Sequence, residues 1–413
     1  MDETAVRDRL RTVTDPHLGD DIVSLGLVNE LTVDGDEVAI DLALGAPFSP
    51  TETSMAGAVR RELGDADIEP DLSASIPGRD EVDEDMVLPH VKNVIAVASG
   101  KGGVGKSTLA VNLATGLADR GARVGLFDAD IYGPNVPRMV GADELPGATA
   151  DETLIPPEKH GVKLMSMAFL IGEDDPVIWR GPMVHKVITQ LTEDVEWGAL
   201  DYLVVDLPPG TGDTQLTMLQ TMPVTGAIVV TTPQEVALDD ARKGLQMFAR
   251  HDTVVLGIVE NMAAFVCPDC GGEHAIFDAG GGAAFAEAHD LPFLGSIPLD
   301  PEVRMAGDDG DPPVLGHEGA AGDALREFAA ETADMVGLTH RQGVAAERTA
   351  EISATSDQAY PFEGESHPGP VQSADPRPAD AGPEVPPEAA GPTHPGRPED
   401  VESSGSEPPA END

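Results

Sequence analysis

Two cysteines in 413 residues, Cys267 and Cys270, leave this chain without a disulfide framework. Aromatic residues are scarce at 4%, and 25 basic residues stand against 74 acidic ones, for a net charge of −49. A surface of that sign repels phosphate backbones and anionic lipid, which argues against nucleic-acid and membrane partners. No apolar run reaches the ~18 residues that a membrane-spanning helix needs. The opening residues Met1-Asp2-Glu3-Thr4 are acidic and lack the apolar stretch of a secretion signal, so the expected location is the cytoplasm. The acidity runs through most of the chain, a balance suited to molar salt, where screening suppresses self-repulsion.

What is present divides by composition into three regions. Residues 1–78 read as a small α+β domain, with helices over Ala5–Val13 and Thr51–Leu63 and strands over Val28–Val33 and Val38–Leu44. An acidic stretch containing Pro77-Gly78 marks a linker, placed at 79–90. Residues 91–340 alternate short β-branched runs with helical segments. The runs are Val94–Ala98, Arg123–Phe127, Tyr202–Val205, Ala227–Thr231, Val254–Val259 and Phe293–Ile297. They are too continuously apolar for half-exposed strands, so a doubly wound α/β domain around a mostly parallel sheet is expected. From 341 to 413 the chain turns to Pro, Glu, Asp, Ser and Ala, and an acidic disordered tail is expected.

The segment Ser99-Gly100-Lys101-Gly102-Gly103-Val104-Gly105-Lys106-Ser107-Thr108 holds a full G-x-x-x-x-G-K-[ST] pattern between a strand and a helix. Its glycines let successive N–H groups turn toward phosphates, Lys106 supplies charge, and the Ser107 hydroxyl is placed to ligate Mg²⁺. Asp206 closes the run Tyr202-Leu203-Val204-Val205 and precedes Leu207-Pro208-Pro209-Gly210-Thr211-Gly212-Asp213, a candidate switch in which the Gly210 N–H can sense a γ-phosphate. Asp128 and Asp130 end an earlier strand within reach of phosphate, Mg²⁺ or water. No guanine-reading motif appears, so ATP is the expected nucleotide. Lys101 is not required by the generic loop. It resembles the deviant phosphate loop of the MinD/ParA/nitrogenase-iron-protein class, which implies a lysine that crosses a dimer interface to the partner's nucleotide.

Cys267-Pro268-Asp269-Cys270 lies beyond the strand that ends Val259-Glu260-Asn261-Met262. Two thiolates cannot complete a four-coordinate shell, whereas two copies about a two-fold axis supply four, enough for [4Fe–4S] or Zn²⁺. A redox dithiol is the other reading, and His274 is a candidate extra ligand.

The stretches SGKGGVGKST, DADIYGPN, WRGPM, DYLVVDLPPGTGD, VTTPQEVALDDARKG and GIVENMAAFVCPDCG together resemble the Mrp/ApbC family of iron–sulfur carrier ATPases over roughly residues 88–312. The resemblance implies a homodimeric, slow ATP hydrolase that passes a labile cluster held by Cys267 and Cys270 to apoproteins and works with cluster-assembly proteins. It implies catalytic roles for Lys101, Lys106, Asp130 and Asp206, and adenine contact for Asn261. Gly100, Gly102, Gly103, Val104, Gly105, Ser107, Thr108, Asp128 and Gly210 complete the implied nucleotide site. The first domain resembles a MIP18-like module through Asp15-Pro16, Asp21-Ile22-Val23 and Leu25-Gly26-Leu27-Val28. It lacks the cysteine such modules carry near Gly45–Thr51, which implies an adaptor rather than a cluster ligand. A MinD/ParA-type positioning ATPase and a zinc-pinned nucleotide scaffold are the alternatives. The charge balance makes one prediction: dialysis from molar KCl to low salt, followed by circular dichroism, unfolds the protein, and a salt-indifferent spectrum removes the salt-adapted reading.

Overall fold

Strands apolar on both faces are stable only where helices cover both sides of a sheet. The computed structural model describes residues 2–35, 37–76, 87–131, 133–170, 181–267, 270 and 272–358, and these belong to one unit. The N-terminal part is α1 (Glu3–Leu10), β1 (Val28–Asp34), β2 (Glu37–Leu42), α2 (Pro50–Gly64) and β3 (Asp71–Ala74). β1 and β2 pair antiparallel and β3 joins β2 in parallel. Val6, Leu10, Ile22, Leu27, Ile40, Val59 and Leu63 fill the core between this sheet and its helices.

The larger part begins with β4 (Val91–Ser99), α3 (Lys106–Asp119), β5 (Val124–Asp128) and α4 (Val136–Met139). A small ribbon, β6 (Gly147–Ala148) with β7 (Leu154–Ile155), precedes β8 (Glu158–Lys159) and β9 (Val162–Ser166). Then come α5 (Gly181–Glu193), β10 (Leu200–Asp206), α6 (Asp213–Thr221), β11 (Gly226–Thr231), α7 (Glu235–Arg250) and β12 (Val255–Val266). β13 (Glu273–His274), α8 (Gly281–Ala288), β14 (Phe293–Leu299), α9 (Pro301–Asp309) and α10 (Ala320–Gln358) complete it.

The parallel strands run in the order β14-β12-β11-β4-β10-β5-β9, with β13 antiparallel on β12 and β8 antiparallel on β9. α3 and α10 cover one face, through Leu109, Leu113, Leu325 and Phe328. α5, α6, α7 and α8 cover the other, through Ile188, Met218, Phe248 and Phe285. The expected doubly wound α/β fold is present, and β4 lies where the strand order reverses. Ligands bind beyond the carboxyl ends of strands at such a point.

One boundary differs from the sequence reading. Order was expected to end near Arg341, but α10 continues to Gln358 and Arg341 is fully buried. The Pro-rich composition that suggested a tail begins only at Pro361. The twenty residues before it hold five alanines and no proline, and suit a helix. Arg341 donates through Nε to Asp15 Oδ2 at 2.6 Å and through a terminal nitrogen to Glu52 Oε1 at 2.9 Å. Val344 packs on the N-terminal core. Earlier in the same helix, Asp334 accepts from the Ser49 hydroxyl at 2.5 Å and the Thr51 N–H at 2.9 Å. The loop between β2 and α2 is therefore held against the larger part. Asn93 of β4 donates to Gly45 O at 2.8 Å and the Tyr202 hydroxyl to Pro47 O at 2.8 Å. A Cβ at Gly45 would overlap the His340 ring, so only glycine lets α10 come this close. Residues 79–86 of the expected linker and everything beyond 358 lie outside the described residues.

One guanidinium faces two buried carboxyl groups, those of Asp15 and Glu52. Burial, opposed by Arg341 and nearby N–H groups, raises the Glu52 carboxyl from 4.5 to about 7. A folded-state value above the unfolded one means stability present at low pH and lost as pH rises from about 4.5 through 7. Glu52→Gln removes that part of the pH dependence: its stability relative to wild type improves as pH is raised across this window, read by denaturant unfolding at each pH.

Candidate functional site

β4 delivers the chain to Ser99, and the loop beyond it turns at two left-handed glycines, Gly103 (φ 80°) and Gly105 (φ 85°). A Cβ at Gly105 would overlap the Asn261 amide, whose Nδ2 donates to Val104 O at 2.8 Å. The loop ends at the first turn of α3, which has no side-chain N-cap. Its first N–H groups therefore have no intrahelical partner and, with the helix dipole, form an anion site.

Lys106 is nearly buried, with Nζ 2.5 Å from Asp206 Oδ1 and 3.3 Å from the Ser107 hydroxyl. Asp206 is fully buried, and its Oδ2 has no protein hydrogen-bond partner. Burial drives its carboxyl upward, against the pull of the Lys106 ammonium. An unpaired buried acceptor beside a serine hydroxyl fits the water shell of a Mg²⁺ ion held by Ser107, so the residues suit the metal that the sequence implies. A cavity of about 460 Å³ opens beyond the loop. Gly102, Gly103, Gly105, Lys106, Ser107, Thr108, Asp130, Pro209 and Asn261 all face it.

Five expected residues sit elsewhere, the first being Val104, which is buried and lines a second, smaller cavity. Asp128, in register with Asp206 on the adjacent strand, is fully buried and does not face the cavity. Its carboxylate accepts from the Ser166 hydroxyl at 2.9 Å and from the Val136 and Asp130 N–H groups at 3.2 Å each. Burial and the neighbouring Asp206 charge hold its carboxyl above the usual range. Its bonds to the Asp130 and Val136 N–H groups hold the start of the turn that carries Asp130 against that of α4. Gly100 packs under α7, where a Cβ would overlap the Asp240 carbonyl. The Gly210 N–H donates to Ser99 O at 2.9 Å, so reaching a phosphate requires giving up that bond. Lys101 lines a separate cavity of about 220 Å³ with Thr232, Gln234, Met262 and Phe277, which shares Gly102, Gly103 and Met262 with the larger one.

The sequence reading missed the wall opposite the loop. Ile297–Asp300, at the end of β14, and Arg138 and Arg304 bound the cavity. The signal was available: β14 belongs to the parallel sheet, so its carboxyl end points to the same crevice.

Cys267 and Cys270 sit at the end of the β12–β13 hairpin. Phe265 pairs with His274, Val266 with Glu273, and the Cys267 N–H donates to Gly272 O at 2.9 Å. Cys267 is half-buried, Cys270 exposed, and they are not joined as a disulfide. A Cβ at Gly272 would lie 3.3 Å from Cys270 Sγ and 3.5 Å from His274 Nε2. Among the described residues, no group of three His, Cys, Asp or Glu side chains forms a metal site. Two thiolates are half of a four-coordinate shell. Trp179 and Arg180 of the WRGPM stretch, Pro268, Asp269 and the Asp213 side chain lie outside the described residues.

A family model described as NUBPL iron-transfer P-loop NTPase matches residues 90–333, and one described as iron–sulfur cluster assembly protein matches residues 3–76. The iron–sulfur cluster carrier protein of a Synechocystis species is 44% identical over 344 residues, 81% of this chain and 98% of that protein. That of Deinococcus radiodurans is 46% identical over 335 residues, covering 80% and 94% respectively. The nucleotide-binding protein of Archaeoglobus fulgidus, solved in complex with ADP, is 37% identical over 56% of this chain and 92% of that one, with a TM-score of 0.49.

These placements separate binding from support. Gly105→Ala, strained at its φ and driven into Asn261, weakens binding of a fluorescent ATP analogue by about tenfold or more, ~1.4 kcal/mol. Asp128→Asn, outside the cavity, changes that affinity by less than about threefold; a loss equal to that of Gly105→Ala places Asp128 on the nucleotide after all.

Proposed function

Because this chain belongs to the NUBPL-type iron-transfer P-loop NTPase family, we propose that it hydrolyses ATP and carries a [4Fe–4S] cluster between two copies of itself, for delivery to apoproteins. The observation that carries the reading is the half-shell of two thiols on a hairpin beside a phosphate-binding cavity. A second copy related by a two-fold axis supplies the other two thiolates. Lys101, which lines the smaller cavity and not the larger, is the lysine that would reach that second copy's phosphates. A pair of cysteines kept as thiols suits a reducing compartment, as in the cytoplasm.

In this reading the loop N–H groups and the first turn of α3 bind the β- and γ-phosphates. Lys106 exchanges its Asp206 contact for phosphate oxygen. Ser107, with Asp206 accepting from the water shell, would hold Mg²⁺, which would supply positive charge next to the phosphates. Asp130 faces the same cavity and orients the attacking water, while Asn261 and the Ile297–Asp300 wall hold the nucleoside. Lys101 of the partner copy steadies the charge that develops on the phosphates. Release of the Gly210 N–H from Ser99 O lets the segment after Asp206 respond to the γ-phosphate. The cluster is cargo, held loosely enough to leave because Cys270 is exposed. The N-terminal module, with no thiol of its own, docks clients or assembly proteins.

Anaerobic reconstitution with iron and sulfide tests the proposal. Wild type is expected to develop a broad band near ~400 nm with about four irons per dimer, and Cys267→Ala none. Uptake of zinc but not iron would leave the nucleotide site in place and replace the carrier by a zinc-pinned scaffold.

A further inference from the structure

The nucleotide cavity and the thiol hairpin share one strand. β12 passes Asn261, which touches the phosphate loop, then Met262, which faces both the nucleotide cavity and the Lys101 cavity, and runs on to Cys267. The strand is irregular between these points. Met262 has φ 58°, the left-handed region that a side chain occupies only under constraint. Pairing with β14 also slips here: Asn261 opposes Ile297 and Phe265 opposes Leu299, four steps along β12 against two along β14. Such bulges re-aim the chain beyond them. Ile297 and Leu299 are themselves part of the cavity wall.

Beyond this bulge β12 runs on into the hairpin, the chain comes back at Gly280, and one side chain closes the base of the excursion. Glu260, fully buried, accepts from the Gly280 N–H at 3.3 Å and the Gly282 N–H at 2.5 Å. These amides open α8, so the carboxylate caps that helix and meets its dipole. The fit leaves no slack. A Cβ at Gly282 would stand 2.8 Å from Glu260 Cβ, and one at Gly281 would stand 2.5 Å from Pro233 O. Nothing in the nucleotide chemistry calls for Glu260, and it does not face the cavity.

We infer that β12 transmits nucleotide occupancy to the Cys267/Cys270 hairpin, with the Met262 bulge as the moving joint and Glu260 as the positioning residue that fixes the hairpin's base. A nucleotide that reorders the Val104–Asn261 contact shifts the bulge. Because Glu260 holds strand and return segment together, that shift turns the hairpin rather than dissipating in it. Coupling of this kind is reciprocal, so whatever steadies the hairpin alters nucleotide affinity by the same factor. The inference rests on the carrier reading only for what the hairpin holds.

The test is amide hydrogen exchange over residues 263–285 in the full chain without nucleotide, with Mg-ADP and with a slowly hydrolysed Mg-ATP analogue. Wild type is expected to change hairpin exchange rates by about fivefold or more on binding nucleotide, in the range of typical coupling. Glu260→Gln, which sets an amide NH₂ against one of two N–H donors, is expected to bind nucleotide within about twofold of wild type while the hairpin response is lost. Wild-type exchange indifferent to nucleotide overturns the inference, as does a full response in Glu260→Gln. Should that variant not fold, the wild-type comparison decides alone. Iron uptake by wild type beside Cys267→Ala is read in parallel. Failure there with exchange coupling intact removes the cargo and leaves the transmission standing.

Discussion

The Lys106 ammonium, 2.5 Å from the fully buried Asp206 carboxylate, ties the first turn of α3 to the end of the central strand β10. A lone charge at either position would be costly in so dry a place, and removing one partner of a buried pair typically costs about 3–5 kcal/mol. The pair therefore holds the phosphate loop open beside β4 and keeps Ser107 at the mouth of the cavity. It is also incomplete, because Asp206 Oδ2 has no protein partner. A fold optimised only for stability would have satisfied that atom. One spare acceptor at this depth suits a site made to receive a hydrated cation and phosphate.

The phosphate loop was legible in the sequence because its chemistry needs contiguous residues: two left-handed glycines, a lysine and a hydroxyl at fixed spacing between strand and helix. The parallel sheet was legible because strands buried on both faces must be apolar throughout. The cavity wall formed by Ile297–Asp300 was harder to see, since its residues are ordinary and only the strand's place in the sheet brings them to the crevice. Asp128 shows the limit of reading residue type. Two strand-end aspartates in adjacent register look alike in the sequence, yet one bonds Lys106, which lines the cavity, while the other spends both oxygens on Ser166, Val136 and Asp130.

The extent of α10 was hidden for a different reason. Averaged over 341–413 the composition is that of a polar tail, and the helical residues before Pro361 are diluted by the longer Pro-rich stretch beyond it. What holds them is not an apolar stripe but a buried arginine, and no sequence pattern says that Arg341 will meet Asp15 and Glu52. Glu260 was missed in the same way. Inside an apolar strand it reads as an exception, and its purpose is seen only when the chain returns to it at Gly280 and Gly282.

The Arg341–Asp15 contact joins residues 326 positions apart, nearly the whole described length of the chain. During synthesis the N-terminal module emerges first, with Asp15 and Glu52 both present and their shared cation still to be translated. At 5–20 residues per second that interval is on the order of tens of seconds. Through it the module must leave its acidic pair in water, loosely packed. The ribosome thus imposes an order on assembly: the module is the first part made and the last part finished, and its completion reports that the α/β domain behind it has been built through to α10.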